Sequence, residues 1–383
     1  MLTHHQHDVR PYEVAVRDAK EATRKKLTDT IEAGQGRATQ SVADILREFT
    51  QREDHLVPAR DLDYRVGPKG EISPYWDDAT AMRPLRLTDH ARGQLLSRLG
   101  LPATYADGLA KPAADGASTE WARQLLLHNL QELTAYRLND APTLFRVVDQ
   151  QVKGVLSASY RRMDAAPIIE GFLSRGLELG LVPIAGSVTD TRFHLKMLLP
   201  RIFEPVTDEI LCFGFAFSTS DYGASAMELS MFLMRLWCTN YAVSESALRR
   251  VHLGKRFDNP AEAILLSQHT HDLDAETVTS AVRDVVTGDR LLTWTIEACQ
   301  AVQSASMRQI DVPTALYGMR KSWGLTKDQT EQADVLYRTL KEPALLPPLD
   351  GAWRLSNVLS LMAQSAPGDT ALRLEGAAMA VLQ

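Results

Sequence analysis

The chain has 383 residues, of which 45% are apolar and 23% charged, and its formal net charge is −6. That size and composition are ordinary for a soluble globular protein of two folded units, or of one core with a helical extension. The acidic balance excludes a molecule that attracts phosphate by its overall charge, so any nucleic-acid binding must come from a local basic patch. No run approaches the roughly 18 uninterrupted apolar residues of a membrane span, and the opening MLTHHQHDVRPYE has no apolar signal segment. A cytoplasmic protein without a membrane partner is therefore expected. Cys212, Cys238 and Cys299 lie in apolar-rich stretches without CxxC spacing and read as reduced core residues.

Residues 1–60 are polar and favour helix. Val42, Ile45, Leu46 and Phe49 recur at helical spacing after Ser41, which predicts an amphipathic helical arm. Residues 61–260 are expected to form an α+β core. Within it, VGPKGEI suits a tight hairpin between short strands. Thr88 is placed to cap DHARGQLLSRLG, and Gly100 with Pro102 stops that helix. Lys111 to Thr119 reads as a loop and WARQLLLHNLQELT as a helix. LFRVVD and VLSASYR predict two antiparallel strands around Gln150 to Gly154. Pro167 fits the first turn of a helix through IIEGFLSRGLELG that Gly180 ends. RFHLKMLLP and EILCFGFAFS follow as strands separated by Pro205 and Asp208. Met227 to Cys238 has apolar residues at both parities, a pattern that suits a buried strand or a buried helix. Residues 261–383 return to helical patterning, broken at Gly288, Pro313 and the Leu-Pro-Pro-Leu segment at 346–349. No internal repeat is present.

Phe213 to Val243 joins an alternating apolar run, a polar Ser-Thr-Ser-Asp-Tyr-Gly turn and a second apolar run closing on Arg235, Leu236, Trp237, Cys238, Thr239 and Asn240. That order resembles the core of a phage- and plasmid-associated family catalogued as domain of unknown function 932. The segments Arg83 to Leu109, Leu144 to Asp164 and the closing GAWRLSNVLSLMAQSAPGDTALRLEGAAMAVL extend the resemblance over most of the chain. In the last of these, Leu359 and Ser360 stand where the family has Thr-Arg, so no role of that pair carries over. The resemblance favours a strand for Met227 to Cys238. It implies a mobile-element setting and names no reaction.

The best metal candidate is QHTHDLD, with His269, His271, Asp272 and Asp274. Its spacing departs from known metallohydrolase patterns, and a capping loop with Asp272 or Asp274 at the helix N-cap accounts for it. His4, His5 and His7 could bind metal only adventitiously. No GxSxG elbow, Walker A loop, GxGxxG fingerprint or HExxH pair occurs. Neither cofactor nor metal is expected, and nothing commits the chain to catalysis.

The hairpin ending in Tyr160, Arg161 and Arg162 is the more useful lead, because an exposed ring beside arginines can stack bases and hold phosphates. Arg249, Arg250, Lys255 and Arg256 add a second basic segment. Tyr160 reads alternatively as a core aromatic. The sequence thus predicts an α+β protein with a central, mainly antiparallel sheet, flanking helices and a helical C-terminal region. Its expected function is non-catalytic binding or annealing of single-stranded nucleic acid in replication, recombination or repair, as a homo-oligomer. The alternative is an oligomeric factor that binds and modulates a host or phage protein. A third reading is a metal-dependent hydrolase using His269 and His271.

Overall fold

The computed structural model describes residues 11–76, 84–110, 120–238, 240–250, 267–342, 346–347 and 350–383. In chain order these form β1 (Glu13–Val14), the long helix α1 (Glu21–Gln51), β2 (Glu53–Val57), β3 (Leu62–Val66), β4 (Ile72–Trp76) and β5 (Arg86–Leu87). Three helices follow, α2 (Asp89–Leu99), α3 (Ala103–Ala110) and α4 (Glu120–Leu138), then β6 (Thr143–Val148), β7 (Gln151–Ser157) and α5 (Ala165–Glu178). The central strands are β8 (Val182–Val188), β9 (Phe193–Val206), β10 (Glu209–Thr219), β11 (Met227–Arg235) and β12 (Asn240–Arg250). The closing helices are α6 (Gln268–Val285), α7 (Gly288–Met307), α8 (Val312–Ser322), α9 (Lys327–Thr339), α10 (Ala352–Ser365) and α11 (Gly368–Ala380).

The fold is α+β, built on a six-stranded antiparallel sheet ordered β1-β9-β10-β11-β12, with β8 also on β9. Period-two alternation decides its two faces. Phe193, Leu195, Met197, Leu199 and Phe203 of β9 point one way with Phe213, Phe215 and Phe217 of β10. This face is closed by α5, α6, α7 and α10 through Phe172, Val282, Cys299 and Leu359. On the opposite face, Leu198, Ile202, Cys212, Phe232 and Met234 pack beneath Leu27 of α1. His194 and Lys196 share the parity of Leu198, so the same face turns polar toward one end of the sheet.

A second lobe is organised by a four-stranded sheet, β2-β6-β7-β5, and the separate β3-β4 hairpin. Phe145, Val152 and Val155 meet Tyr64 and Trp76, with Leu95 and Leu96 of α2 and Leu126 and Leu130 of α4. The β6-β7 turn places Asp149 and Gln150 at φ 49° and 62°, the left-handed pair of a two-residue hairpin whose twist suits the strands. β1 and β2, from residues 1–60, pair with β9 and β6 respectively.

Several local expectations hold. Thr88 caps α2 by accepting from Ala91 N, and Gly100 ends it in the left-handed region. Gly180 follows α5 with φ 75°. All three cysteines are buried and none forms a disulfide. The strand expected through Cys238 stops at Arg235, because Arg235 turns inward: its Nε and Nη2 donate to Glu209 at 2.7 and 3.0 Å. Leu236 N closes the corner on Ile210 O at 2.9 Å, and residues 236–238 form a turn. Among the described residues no helix is long and apolar enough to cross a membrane.

Candidate functional site

The two lobes meet at a buried cluster of charge assembled by the polar turn between β10 and β11. Ser220 Oγ accepts from Tyr222 N at 3.2 Å and Ala224 N at 3.0 Å, and Gly223 takes φ 74°, so this turn is set by its own sequence. The turn then delivers Asp221 to the lobe boundary. Asp221 accepts from Ala165 N at 2.9 Å and from Arg52 Nη1 at 2.8 Å, while its carbonyl accepts from Arg146 Nη1 at 2.9 Å. Asp164 Oδ1 accepts from both Arg52 Nη2 and Arg146 Nη2, at 2.9 and 3.0 Å. Asp54 lies 3.4 Å from Arg52, 3.3 Å from Arg146 and 3.5 Å from Arg162.

Three arginines therefore face three aspartates, and the cluster is formally neutral. Burial alone would lower the Arg146 pKa, yet Asp164, Asp54 and Asp221 together raise it and hold the guanidinium charged. Burial lifts the Asp221 carboxyl above its usual range; Arg52 and Arg146 pull it down and Asp164 pushes it up. Beside the cluster, Tyr222 donates to Glu48 Oε1 at 2.5 Å and Lys153 holds Glu48 Oε2 at 2.6 Å. The adjoining cavity measures only about 10 Å³, too little for more than a water.

This cluster absorbs the first set of predicted binding residues. Tyr160 is 7% exposed, its ring centroid 5.6 Å from the Arg146 guanidinium and its hydroxyl 3.3 Å from Ser220 O. In this position the ring is a core aromatic and offers no face to a base. Arg161 forks onto Asp274, donating from Nε at 2.6 Å and also from Nη2. Arg162 is turned toward Asp54 with its side chain mostly covered. The second set is placed differently. Arg249 and Arg250 are exposed at the end of the edge strand β12, with Arg249 Nε 3.0 Å from Glu228 Oε1. Lys255 and Arg256 lie outside the described residues.

The QHTHDLD segment does not cap its helix with an aspartate. Ser267 is the N-cap, accepting from Thr270 N, and His269, His271, Asp272 and Asp274 fall within the first two turns of α6. Asp272 accepts from Gln268 and Asp274 holds Arg161. Among the described residues no three His, Cys, Asp or Glu side chains converge as metal ligands. His4, His5 and His7 lie outside those residues.

A feature that no sequence motif marks lies on the polar end of the large sheet. A cavity of about 300 Å³ is lined by His194, Lys196, Ser218, Ser230 and Glu228 from the strands, with Trp323, Leu372 and Gly376 opposite. Gly376 is required there, because a Cβ would stand 2.3 Å from the Trp323 ring. Lys196 Nζ sits 2.6 Å from Glu375 Oε1 and 4.0 Å from the Tyr241 ring centroid. Neither ring nitrogen of His194 has a hydrogen-bonding partner among the described residues, nor does Glu375 Oε2. Burial lowers the His194 pKa to about 4; the positive charges of Arg192 and Lys196 add to the shift and Asp369 opposes it. The imidazole is thus neutral at physiological pH, one nitrogen a donor and the other an acceptor. The sequence signal was present in Arg-Phe-His-Leu-Lys-Met, where His194 and Lys196 occupy the parity opposite Phe193, Leu195 and Met197.

Compared with known protein families, curated proteins and solved structures, the chain has no match.

Proposed function

We propose that the protein binds single-stranded nucleic acid, acting as a binding rather than a catalytic factor in replication, recombination or repair of a phage or plasmid. The observation that supports this reading is the exposed Arg249-Arg250 pair at the outer end of β12. Two adjacent residues on a strand project to opposite faces, so a flexible backbone can cross the strand end and meet both guanidinium groups. Glu228 answers Arg249 only in part, since both side chains remain exposed and such a pair is weak in water. The mobile-element setting comes from the sequence resemblance alone. Fluorescent oligonucleotide titration at low salt tests the reading: binding that weakens with salt supports it, and no binding at micromolar protein with the fold intact overturns it.

A second reading, an oligomeric factor docking on a host or phage protein, is favoured by the outer face of α4. Trp121 and Tyr136 there are 68% and 77% exposed, with Leu125 between them also exposed. Large apolar side chains on one helix face mark interaction surfaces more often than isolated ones do. Loss of a captured partner on Trp121→Ser with Tyr136→Ser, without loss of oligonucleotide binding, would favour this second reading.

A further inference from the structure

We infer that the cavity on the polar end of the large sheet is a binding site for an uncharged, planar heterocycle of the nucleobase or nucleoside class. Its volume of about 300 Å³ lies at the small end of ligand pockets. That space suits a base with or without its sugar and is too small for a dinucleotide.

Charge argues for an uncharged ligand. The Lys196 ammonium is already held by Glu375 and lies over the Tyr241 ring. A phosphate or carboxylate entering the cavity would meet Glu228 and no free cation, and a cationic ligand would be repelled by Lys196. The polar groups that remain are matched to a molecule carrying donors and acceptors on one edge. His194 can supply one of each once its ring is turned toward the cavity, and the Ser218 and Ser230 hydroxyls can do either. A half-turn of the imidazole about χ2 exchanges its nitrogen and carbon positions, so either edge can be presented. A partner for these groups would relieve the cost of leaving buried polar atoms unpaired.

Shape argues for a flat ligand. Trp323 lies close on Gly376 and, with Leu372, forms the wall opposite the strands. A ring entering between that wall and the sheet would have apolar surface and an indole beside it, the setting in which bases stack without regard to their sequence.

The cavity also has a link to the sheet end. Glu228, on its lining, is the partner of Arg249. A base could reach it as a free nucleoside or as an unpaired base of a strand crossing Arg249; the strand form rests on the proposed function, and the nucleoside form does not.

The test is calorimetric titration of the full chain with adenosine, guanosine, cytidine and thymidine, repeated with His194→Leu and Ser230→Val. Ribose and inorganic phosphate serve as probes lacking the heterocycle. The inference expects one or more nucleosides to bind, ribose and phosphate not to bind, and each substitution to weaken binding by about tenfold or more with circular dichroism unchanged. It is overturned if no nucleoside binds at millimolar concentration, if ribose or phosphate binds instead, or if both variants bind as the wild type does. A single-stranded oligonucleotide and its abasic counterpart separate the sources. Preference for the base-bearing strand, lost in His194→Leu, supports entry of a strand's base. Oligonucleotide binding with no nucleoside binding and no effect of His194→Leu overturns the cavity inference and leaves the strand reading standing.

Discussion

Where Arg52, Arg146 and Arg162 meet Asp54, Asp164 and Asp221, each charge lies within 3.5 Å of an opposite one and the space beside them is about 10 Å³. Around His194 the balance is reversed: the cavity is about 300 Å³, and neither nitrogen of the imidazole on its wall has a hydrogen-bonding partner among the described residues. Both regions are polar and largely shielded, so polarity alone does not separate them. What separates them is whether each charge is answered: Asp54 Oδ1 and Arg146 Nε lack hydrogen bonds, yet every charged group of the cluster has an opposite charge beside it, whereas neither His194 nitrogen has any partner among the described residues. The charge cluster uses its groups to fix one lobe against the other. The sheet-face cavity leaves its groups available for a ligand.

The largest effect that would test this contrast is Arg146→Met. Removing the fully buried guanidinium leaves three aspartates facing only Arg52 and Arg162, a net negative charge in the interior, and a loss of about 3–5 kcal/mol in unfolding free energy is expected. Urea denaturation followed by circular dichroism measures it. A loss below about 1 kcal/mol would show that the cluster does not join the lobes.

His194→Leu should behave in the opposite way. At pH 7 its stability is expected to match or exceed the wild type by about 1 kcal/mol, because two unpaired nitrogens are removed. The pH dependence sharpens this. With the folded pKa lowered to about 4 against 6.5 in the unfolded chain, the unfolded state takes up a proton first as pH falls. His194 therefore destabilises the native state progressively below pH 6.5, levelling below pH 4, by on the order of 3 kcal/mol. Denaturation of both proteins at pH 7, 5.5 and 4 should show the variant's advantage growing toward acid. A constant difference would mean the imidazole is not held neutral.

Arg161→Ala is the smallest perturbation. Its pair with Asp274 is about one-third exposed, so a loss of about 0.2–1 kcal/mol is expected by the same denaturation experiment. A loss comparable to that of Arg146→Met would extend the buried cluster outward to Asp274.

These contrasts also show what the sequence could convey. The cap at Thr88 and the period-two alternation of Phe213, Phe215 and Phe217 act between near neighbours, and both were legible; the β6-β7 pair was legible as well, but its turn falls at Asp149-Gln150 and Gln151 to Gly154 belong to β7. The partners of Tyr160, Arg161 and Arg162 were not. Ser220 and Asp274 lie 60 and 113 positions from Tyr160 and Arg161 respectively, and no local pattern announces that a ring and a guanidinium will be covered. Arg235 was read as a motif residue, while its function in the fold, a fork onto Glu209 that ends β11, depends on the neighbouring strand. His194 was legible in principle, because its parity on β9 opposes the apolar face. Its importance emerges only when α11 and Trp323 cover that face without supplying partners for the ring.

The most direct test of the account is whether a strand engages the end of β12 or the hairpin that ends at Tyr160. Binding of a fluorescent single-stranded oligonucleotide should be titrated across salt concentrations for the wild type, Arg161→Ala with Arg162→Ala, and Arg249→Ala with Arg250→Ala. The account predicts an unchanged salt slope for the first pair and a slope shallower by about 1.4 for the second, at about 0.7 per phosphate contact. A slope flattened by the first pair and untouched by the second would contradict it, as would the absence of binding in a folded wild-type protein.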